Sequence, residues 1–185
     1  ITSRNLIPTF AYENGNLVRA VTRGDGMTGE VVTENVKTIQ NIPIKIEQGA
    51  PQNIEIRGEI FFRLNDFQKI NEQLEIDGNK KFVSPRNAAA GTLRNLDLVT
   101  VKQRPLDVFF YGLGGHSLEF NIQSQKEFLK FLEINDFPVN ELVSFGGKEH
   151  ARESVDKILG SRDSLSYEID GAVIKVNDFN QQHKL

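Results

Sequence analysis

Alternating apolar and polar positions predict several strands along this chain. Residues 54–62 alternate with a period of two, which is typical of a β-strand with one buried face. Residues 106–111 are mostly apolar and predict a strand that ends at Gly112 and the Gly114-Gly115 pair. Residues 167–176 form another apolar, β-branched run, so we predict a strand there as well.

The first part of the chain predicts a hairpin followed by a glycine-rich loop. Two apolar runs, residues 6–12 and 17–21, lie on either side of Asn14-Gly15, a pair that favours a tight hairpin turn. Residues 22–30 contain three glycines and predict a loop whose backbone comes close to another group. A helix is predicted over residues 30–38.

Helical spacing and capping residues predict further helices. Residues 124–134 place apolar side chains on one face. Asn65 is suited to cap a helix over residues 66–75, with Gln68 in the capping-box position, and another helix is predicted over residues 150–159. Because these helices and the strands mix without a regular βαβ repeat, we predict an α+β fold with a largely antiparallel sheet.

One further helix is predicted to begin at Ser84-Pro85. Ser84 is a good N-cap, and proline suits the first helical position. Arg86 and Arg94 stand eight residues apart, roughly 12 Å along a helix axis, a separation that suits two phosphates of a nucleic-acid backbone or a dinucleotide. A solvated helix with two surface arginines is the alternative.

Composition limits the classes of function that need to be considered. The 185 residues are 38% hydrophobic and 25% charged, which fits one globular domain. The formal net charge of −3 excludes a protein that coats DNA by overall charge, so any nucleic-acid contact must come from a local basic patch. There is no cysteine and no apolar run of the ~18 residues that a membrane span needs. We therefore expect a cytoplasmic protein that does not bind membranes.

Charged side chains interrupt two of the predicted strands. Glu59 lies inside a strand that should bury one face, where an unpaired carboxylate is costly. Glu59 therefore either forms a strand-end salt bridge or, in a nucleotide pocket, accepts ribose hydroxyls or orients a lysine. Lys175 follows Asp170 by five residues and belongs either to a solvated strand face or beside a phosphate.

Other candidate sites carry weaker signals. Arg23 lies in the glycine-rich loop, which suits an anion but also suits a purely structural turn. His116, His150 and His183 lack the spacing of metal ligands, so no metal site is predicted within the chain. Neither a P-loop nor a Rossmann glycine motif occurs.

Several short motifs occur together in a consistent order. They include Arg57-Gly58-Glu59, the Pro-Arg-Asn-Ala-Ala-Ala-Gly run at residues 85–91, and Glu168-Ile169-Asp170-Gly171. The ordered set resembles the adenylation domain of bacterial NAD-dependent DNA ligases, from about Leu6 to Leu185. The motifs that carry this resemblance lie at residues 12–15, 22–30, 33–35, 42–43, 57–59, 84–91, 168–171 and 173–176.

The resemblance implies a nucleotidyltransferase fold with largely antiparallel sheets flanked by helices. In the family, a lysine attacks the α-phosphorus of NAD, releases nicotinamide mononucleotide and carries AMP. The AMP then passes to the 5′-phosphate of a DNA nick, which is sealed. The implied cofactors of the full enzyme are NAD and Mg²⁺, with zinc only in another domain. The implied partners of this monomer are nicked double-stranded DNA and an adenine nucleotide or adenine-site inhibitor.

The resemblance also assigns residues to the nucleotide. Arg23, Glu59 and Lys175 match nucleotide-binding positions of the family. Glu59 is then expected to meet the ribose or the reacting lysine, and Lys175 is expected to meet the adenylate phosphate. Asp170 matches an aspartate of the catalytic pocket, where it supports catalysis as a partner of Mg²⁺ or of the lysine.

Three arginines match positions near the DNA nick or the leaving nucleotide, namely Arg86, Arg94 and Arg162. We expect residues 1–185 to form a partial adenylation domain. The family's N-terminal nicotinamide-binding segment, its oligonucleotide-binding fold and its C-terminal modules are expected to lie outside this sequence. The chain is therefore expected to recognise adenosine better than whole NAD, and not to seal nicks alone.

The nucleophile motif of the family, Lys-x-Asp-Gly, has no counterpart in register. It is expected at about residues 2–5, which read Thr-Ser-Arg-Asn. Either the sequence is trimmed or altered near its start, or the natural protein has lost the motif. The second case predicts a catalytically inactive paralogue that serves as a nucleotide- or DNA-binding module. As written, these residues do not form the lysine–AMP bond.

Overall fold

The architecture is an antiparallel sheet with helices, seen in a computed structural model that describes residues 7–22, 29–182 and 184. The strands within this part of the chain are β1 (Thr9–Glu13), β2 (Asn16–Val21), β3 (Asn53–Phe62) and β4 (Leu106–His116). The helices are α1 (Thr33–Val36), α2 (Leu64–Ile76), α3 (Pro85–Leu93), α4 (Leu98–Gln103), α5 (Gln125–Ile134), α6 (Lys148–Gly160) and α7 (Phe179–Gln182), with a 3₁₀ turn at Arg162–Ser164. The α+β prediction is confirmed.

The four strands are ordered β2-β1-β3-β4 and are antiparallel throughout. The first two strands form the predicted hairpin, with positive φ angles of 48° at Asn14 and 79° at Gly15. Two positive φ angles identify the type I′ turn that matches strand twist. A Cβ on Gly15 would lie 2.9 Å from the Ile46 carbonyl oxygen, so glycine is required there by space as well.

One face of the sheet forms the hydrophobic core. Phe10 packs edge-on against Phe110 with ring centroids 4.9 Å apart, and Phe110 packs in the same way against Phe137. Buried side chains of α1, α3, α4 and α5 complete this cluster. Burial of the apolar side chains in this cluster is the main favourable contribution to folding. The buried strand residues on this face include Tyr12, Ile54, Ile56, Ile60, Phe62 and Val108.

The other face of the sheet is only partly covered, and we call it the open face. On β3, buried residues alternate with exposed or half-buried ones, as the period-two pattern predicted. Arg57, Glu59 and Phe61 therefore share the open face. On β4, Phe109 and Tyr111 lie on the same side, since Glu59 pairs with Phe109 in the sheet register.

The predicted strand over residues 167–176 is wrong, because residues 168–176 form no strand or helix in the structure. We call residues 166–178 the strap, since they cross the open face. The Tyr167 ring contacts Phe61 and Phe109, and the Lys175 ammonium lies over the Tyr111 ring. The β-branched side chains therefore do not mark a sheet edge, since the strap packs on a sheet face instead.

Two other element boundaries differ from the predictions. β4 continues through Gly112 and the glycine pair to His116, because pairing with β3 outweighs the low strand propensity of glycine. Gly112 lies opposite Arg57, where a Cβ would come within 3.2 Å of the arginine side chain. Helix α2 begins at Leu64 with Arg63 as N-cap, so Asn65 lies inside the helix and does not cap it.

The remaining helix predictions hold to different degrees. Ser84 caps α3 by accepting a hydrogen bond from the Asn87 N–H, and Pro85 is the first residue of that helix, as predicted. Ser124 caps α5 in the same way. Helix α1 is only four residues long, much shorter than predicted.

Among helices of the described residues, none has the length and hydrophobicity to cross a bilayer.

Candidate functional site

A cavity of about 190 Å³ lies on the open face, between the sheet, the start of α3 and the strap. It brings together Glu59, Arg86 and Asp170, three residues that the sequence analysis singled out from distant parts of the chain. Two of these are acidic and one is basic, so the cavity has both hydrogen-bond acceptors and a donor for a polar ligand. The lining comprises residues 59–62, Pro85, Arg86, Phe109, Asn140 and residues 167–171.

Glu59 reaches this cavity because of its position on β3. It faces away from the core and is half-buried, next to Phe109 on the neighbouring strand. A partly buried carboxylate at the edge of an aromatic surface is suited to accept hydrogen bonds from hydroxyl groups. The strand thus holds this acceptor rigidly.

Arg86 and Asp170 form an ion pair that joins α3 to the strap. The Arg86 Nη2 and Asp170 Oδ2 atoms are 2.5 Å apart, and the two side chains are 46% and 54% exposed. Pairs with this much exposure contribute only about 0–1 kcal/mol to stability. The pair therefore borders one side of the cavity but contributes little to the association of α3 with the strap.

Aromatic side chains form the apolar wall of the cavity. Phe61 and Phe109 stack with ring centroids 4.8 Å apart, and Tyr167 lies 5.3 Å from each of them. The Tyr167 hydroxyl accepts a hydrogen bond of 3.0 Å from the Asn140 side-chain amide. No role was predicted for these residues from the sequence. The alternation of β3 and β4 could have indicated that Phe61 and Phe109 lie on the face away from the core.

Lys175 lies beside this cavity and does not belong to its lining. Its ammonium group is 5.0 Å from the centre of the Tyr111 ring, and Tyr111 is two residues along β4 from Phe109. The residue as a whole is exposed, but burial of the ammonium group lowers the pKa of Lys175, and the positive charge of Arg57 lowers it further. Glu59 and Lys175 therefore both lie on the open face, Glu59 next to Phe109 and Lys175 next to Tyr111.

Two other predicted site residues, Arg94 and Arg162, lie away from this cavity. Arg94 follows the last residue of α3, and its Nε atom is 3.1 Å from a carboxylate oxygen of Glu30. Arg162 is exposed in the 3₁₀ turn after α6. Neither residue belongs to the lining of the cavity.

Arg23 lies outside the described residues, but the base of its loop is described. The Thr22 N–H donates to the Glu30 carbonyl oxygen over 2.9 Å, and the Glu30 N–H donates to the Thr22 hydroxyl over 3.2 Å. A Cβ on Gly29 would lie only 2.1 Å from the Thr22 carbonyl oxygen. Glycine is therefore required at the point where the loop closes, and Glu30 links this point to Arg94.

A second, larger cavity of about 510 Å³ lies away from these residues. It is formed by the 40–48 segment and residues 134–136 and contains none of the predicted site residues. Asn135, its most buried polar residue, uses its side chain to bind the backbone of residues 47–48. We therefore interpret this cavity as a structural junction.

Across the described residues, no group of three His, Asp or Glu side chains is arranged to hold a metal ion.

Comparison with known proteins adds independent information. Residues 7–185 match the family model described as the NAD-dependent DNA ligase adenylation domain. A protein named DNA ligase from Roseiflexus castenholzii is 42% identical over 97% of this chain and 27% of its own length. Another DNA ligase, from Alkalilimnicola ehrlichii, is 44% identical over 96% of this chain and 26% of its own length. The chain spans about a quarter of the length of these curated relatives.

Proposed function

Because the chain belongs to the NAD-dependent DNA ligase adenylation domain family, we propose that it binds the AMP part of NAD on the open face of its sheet. In the full protein, this AMP passes through a lysine to the 5′-phosphate of a DNA nick. The cavity beside Lys175 carries this proposal, since it combines a rigid carboxylate, an aromatic wall and a nearby cation.

We assign a role to each residue that matches a nucleotide-binding position of the family. Glu59 accepts hydrogen bonds from the ribose hydroxyls, which need an acceptor held by a rigid element. Lys175 and Arg23 balance the negative charge of the phosphate, and a pocket with a partly buried ammonium group strengthens that attraction.

The proposal places DNA along α3 and the 3₁₀ turn. Arg86, Arg94 and Arg162 contact phosphates there, because guanidinium groups bind phosphate oxygens in a bidentate manner. Arg86 and Arg94 are both paired with carboxylates. Phosphates must therefore compete with Asp170 and Glu30 for these arginines.

The family also implies Mg²⁺, and the residues at the cavity fit this ion. Mg²⁺ is usually held by one or two carboxylates together with substrate phosphates, and it keeps several waters. Glu59 and Asp170 both line the cavity, and of the two Asp170 is our candidate ligand. When bound, the ion would neutralise phosphate charge during transfer.

Titration of this chain with AMP tests the proposal. We expect Lys175→Ala and Glu59→Ala each to weaken AMP binding by about tenfold or more, the usual size of a lost charge-assisted hydrogen bond. Isothermal titration calorimetry measures the dissociation constants, and thermal unfolding shows whether each variant is folded. Wild-type chain that does not bind AMP would contradict the proposal.

Two matched variants control for general effects of removing charge. Glu55 lies on the open face of the same strand, four residues before Glu59, and Lys157 is exposed on α6. We expect Glu55→Ala and Lys157→Ala to bind AMP as the wild type does. If Lys157→Ala weakens binding as much as Lys175→Ala, AMP is attracted by overall charge and not by this cavity. If Glu55→Ala weakens binding as much as Glu59→Ala, the effect does not depend on the position of the carboxylate in the cavity.

A further inference from the structure

The strap is held firmly at its first end. The Leu64 N–H donates a 2.8 Å hydrogen bond to the Ser166 carbonyl oxygen, and Arg63 Nη1 donates a 2.9 Å hydrogen bond to the Ser166 hydroxyl. Both donors lie at the junction of β3 and α2. The beginning of the strap is therefore attached directly to the end of the central strand.

The strap is also held at its second end. The Gln125 N–H donates to the Asn177 carbonyl oxygen over 2.8 Å, and the Lys126 N–H donates to the Asn177 side-chain oxygen over 2.9 Å. These bonds use backbone N–H groups in the first turn of α5, which have no partner within the helix. The second end is therefore attached to a different element from the first.

The middle of the strap carries the residues that matter for the proposed function. Asp170 pairs with Arg86, and Lys175 lies over the Tyr111 ring. The Asp170 side chain is about half exposed, and Lys175 is an exposed residue with a partly buried ammonium group, so each contact is individually weak. The ten residues from 167 to 176, between these two attachments, could span roughly 33 Å if extended. Attachment at the two ends alone thus leaves the chain many possible paths across the sheet.

Tyr167 supplies a third attachment, next to the functional residues. Its ring packs on both Phe61 and Phe109, and its hydroxyl accepts a hydrogen bond from Asn140. Asn140 is itself held in place, since its side-chain oxygen accepts a hydrogen bond from the Leu142 N–H. Tyrosine has only two rotatable χ angles, so it loses little entropy when it is held in this way.

We infer that Tyr167 is a positioning residue for the nucleotide site. It determines where the strap crosses the open face, and hence where Asp170 and Lys175 stand relative to Glu59. This role rests on the proposed function, since it concerns the same AMP site. Small displacements of charged groups reduce their interaction with a bound phosphate strongly, because directed hydrogen bonds depend on geometry.

The test measures AMP affinity and thermal stability for Tyr167→Ala, Tyr167→Phe and Phe145→Ala. We expect Tyr167→Ala to weaken AMP binding by about tenfold, while Tyr167→Phe stays within about threefold because it keeps both ring contacts. Phe145→Ala is the matched control, since Phe145 is a half-exposed aromatic residue that contacts Lys126 away from the cavity. We expect it to bind AMP as the wild type does.

A double-mutant cycle separates positioning from mere stabilisation. If Tyr167 positions Lys175, then Lys175→Ala costs about tenfold in the wild type but less than about threefold in the Tyr167→Ala background. If Tyr167 has only a structural role, Tyr167→Ala lowers the melting temperature, and Lys175→Ala weakens AMP binding by the same factor in both backgrounds. That result would overturn the inference. If Tyr167→Ala does not fold, Tyr167→Leu is measured in its place with the same criterion.

The outcomes distinguish this inference from the proposed function. If Lys175→Ala binds AMP as tightly as the wild type, the proposed function fails and the inference fails with it. If Lys175→Ala weakens AMP binding but folded Tyr167→Ala binds normally, the proposed function stands and only the positioning role is overturned.

Discussion

The ammonium group of Lys175 combines a positive charge with a partly buried position. Burial and the charge of Arg57 lower the pKa of Lys175 from its ordinary value of 10.5. A lowered pKa means that this lysine loses its charge at a lower pH than an ordinary lysine does. The AMP phosphate is fully charged well above its second pKa of about 6. We therefore expect AMP affinity to fall by up to about tenfold as the pH rises through an alkaline range that begins below the ordinary lysine pKa.

Calorimetric titrations at a series of pH values measure this fall. Lys175→Arg is the control variant, because arginine keeps its charge throughout this range. We expect the affinity of this variant, whatever its absolute value, to stay flat where the wild type declines. An equal decline in both proteins would mean that another group titrates in this range and that loss of the Lys175 charge does not cause the decline.

Single residues differed in how far the sequence could assign them. Glu59 was identifiable because a carboxylate inside a strand that buries one face needs a partner, and the structure shows that it lies on the half-buried, polar face of β3. Tyr167 was missed because it was assigned to a strand, where its ring had no assigned partner. Its role depends on Phe61, Phe109 and Asn140, which are distant along the chain. No local pattern connects these positions.

At the level of elements, α3 depends on its first turn. The Ser84 hydroxyl accepts a hydrogen bond of 3.2 Å from the Asn87 N–H, and Arg86 lies in the same turn. We expect Ser84→Ala to lower the free energy of unfolding by about 1 kcal/mol, the usual cost of losing an N-cap. Ser84→Asp should retain most of that stability, because a carboxylate also caps a helix and favours its positive end.

Urea unfolding followed by circular dichroism measures both variants. The control is Ser164→Ala, since Ser164 is exposed in the 3₁₀ turn and caps no α-helix. We expect this control to change stability by less than about 0.5 kcal/mol. A Ser84→Ala variant as stable as the wild type would show that packing alone determines where α3 begins.

Elements were predicted well where local chemistry decides them. The Asn14-Gly15 turn, the cap at Ser84, and the alternation of β3 are all local signals. The extension of β4 through its glycines depends on pairing with β3, which no residue of β4 reveals. Residues 167–176 of the strap were wrongly predicted as a strand. They have strand propensity, but in the structure they do not pair with a neighbouring strand.

At the scale of the whole molecule, the sequence supports the α+β class and the family, while the site needs the tertiary structure. Glu59, Arg86 and Asp170 come from β3, α3 and the strap, and they share one cavity only after folding. Lys175 stands beside that cavity, because the strap is irregular and a strand would have directed the side chain differently. The position of each charged group is therefore a property of the fold.

The charge of the whole molecule makes a prediction about DNA. With a formal net charge of −3, the chain repels phosphates on average, so the DNA binding that we propose must depend on a few arginines. We expect Arg94→Ala to weaken binding to a nicked duplex and to lower the slope of log affinity against log salt by about 0.9 for one lost phosphate contact. AMP affinity should not change, because Arg94 lies at the far end of α3 from the cavity.

Fluorescence anisotropy with a labelled nicked duplex at several salt concentrations measures this slope. Arg152→Ala, on the exposed surface of α6, removes the same charge and should leave the slope unchanged. The variant Glu30→Gln adds a second comparison, since it removes the carboxylate that pairs with Arg94. If Arg94 binds a phosphate, Glu30→Gln tightens DNA binding, because the arginine no longer exchanges one anion for another. If Arg94→Ala and Arg152→Ala give equal slopes, Arg94 acts only through its ion pair with Glu30, and the DNA lies elsewhere.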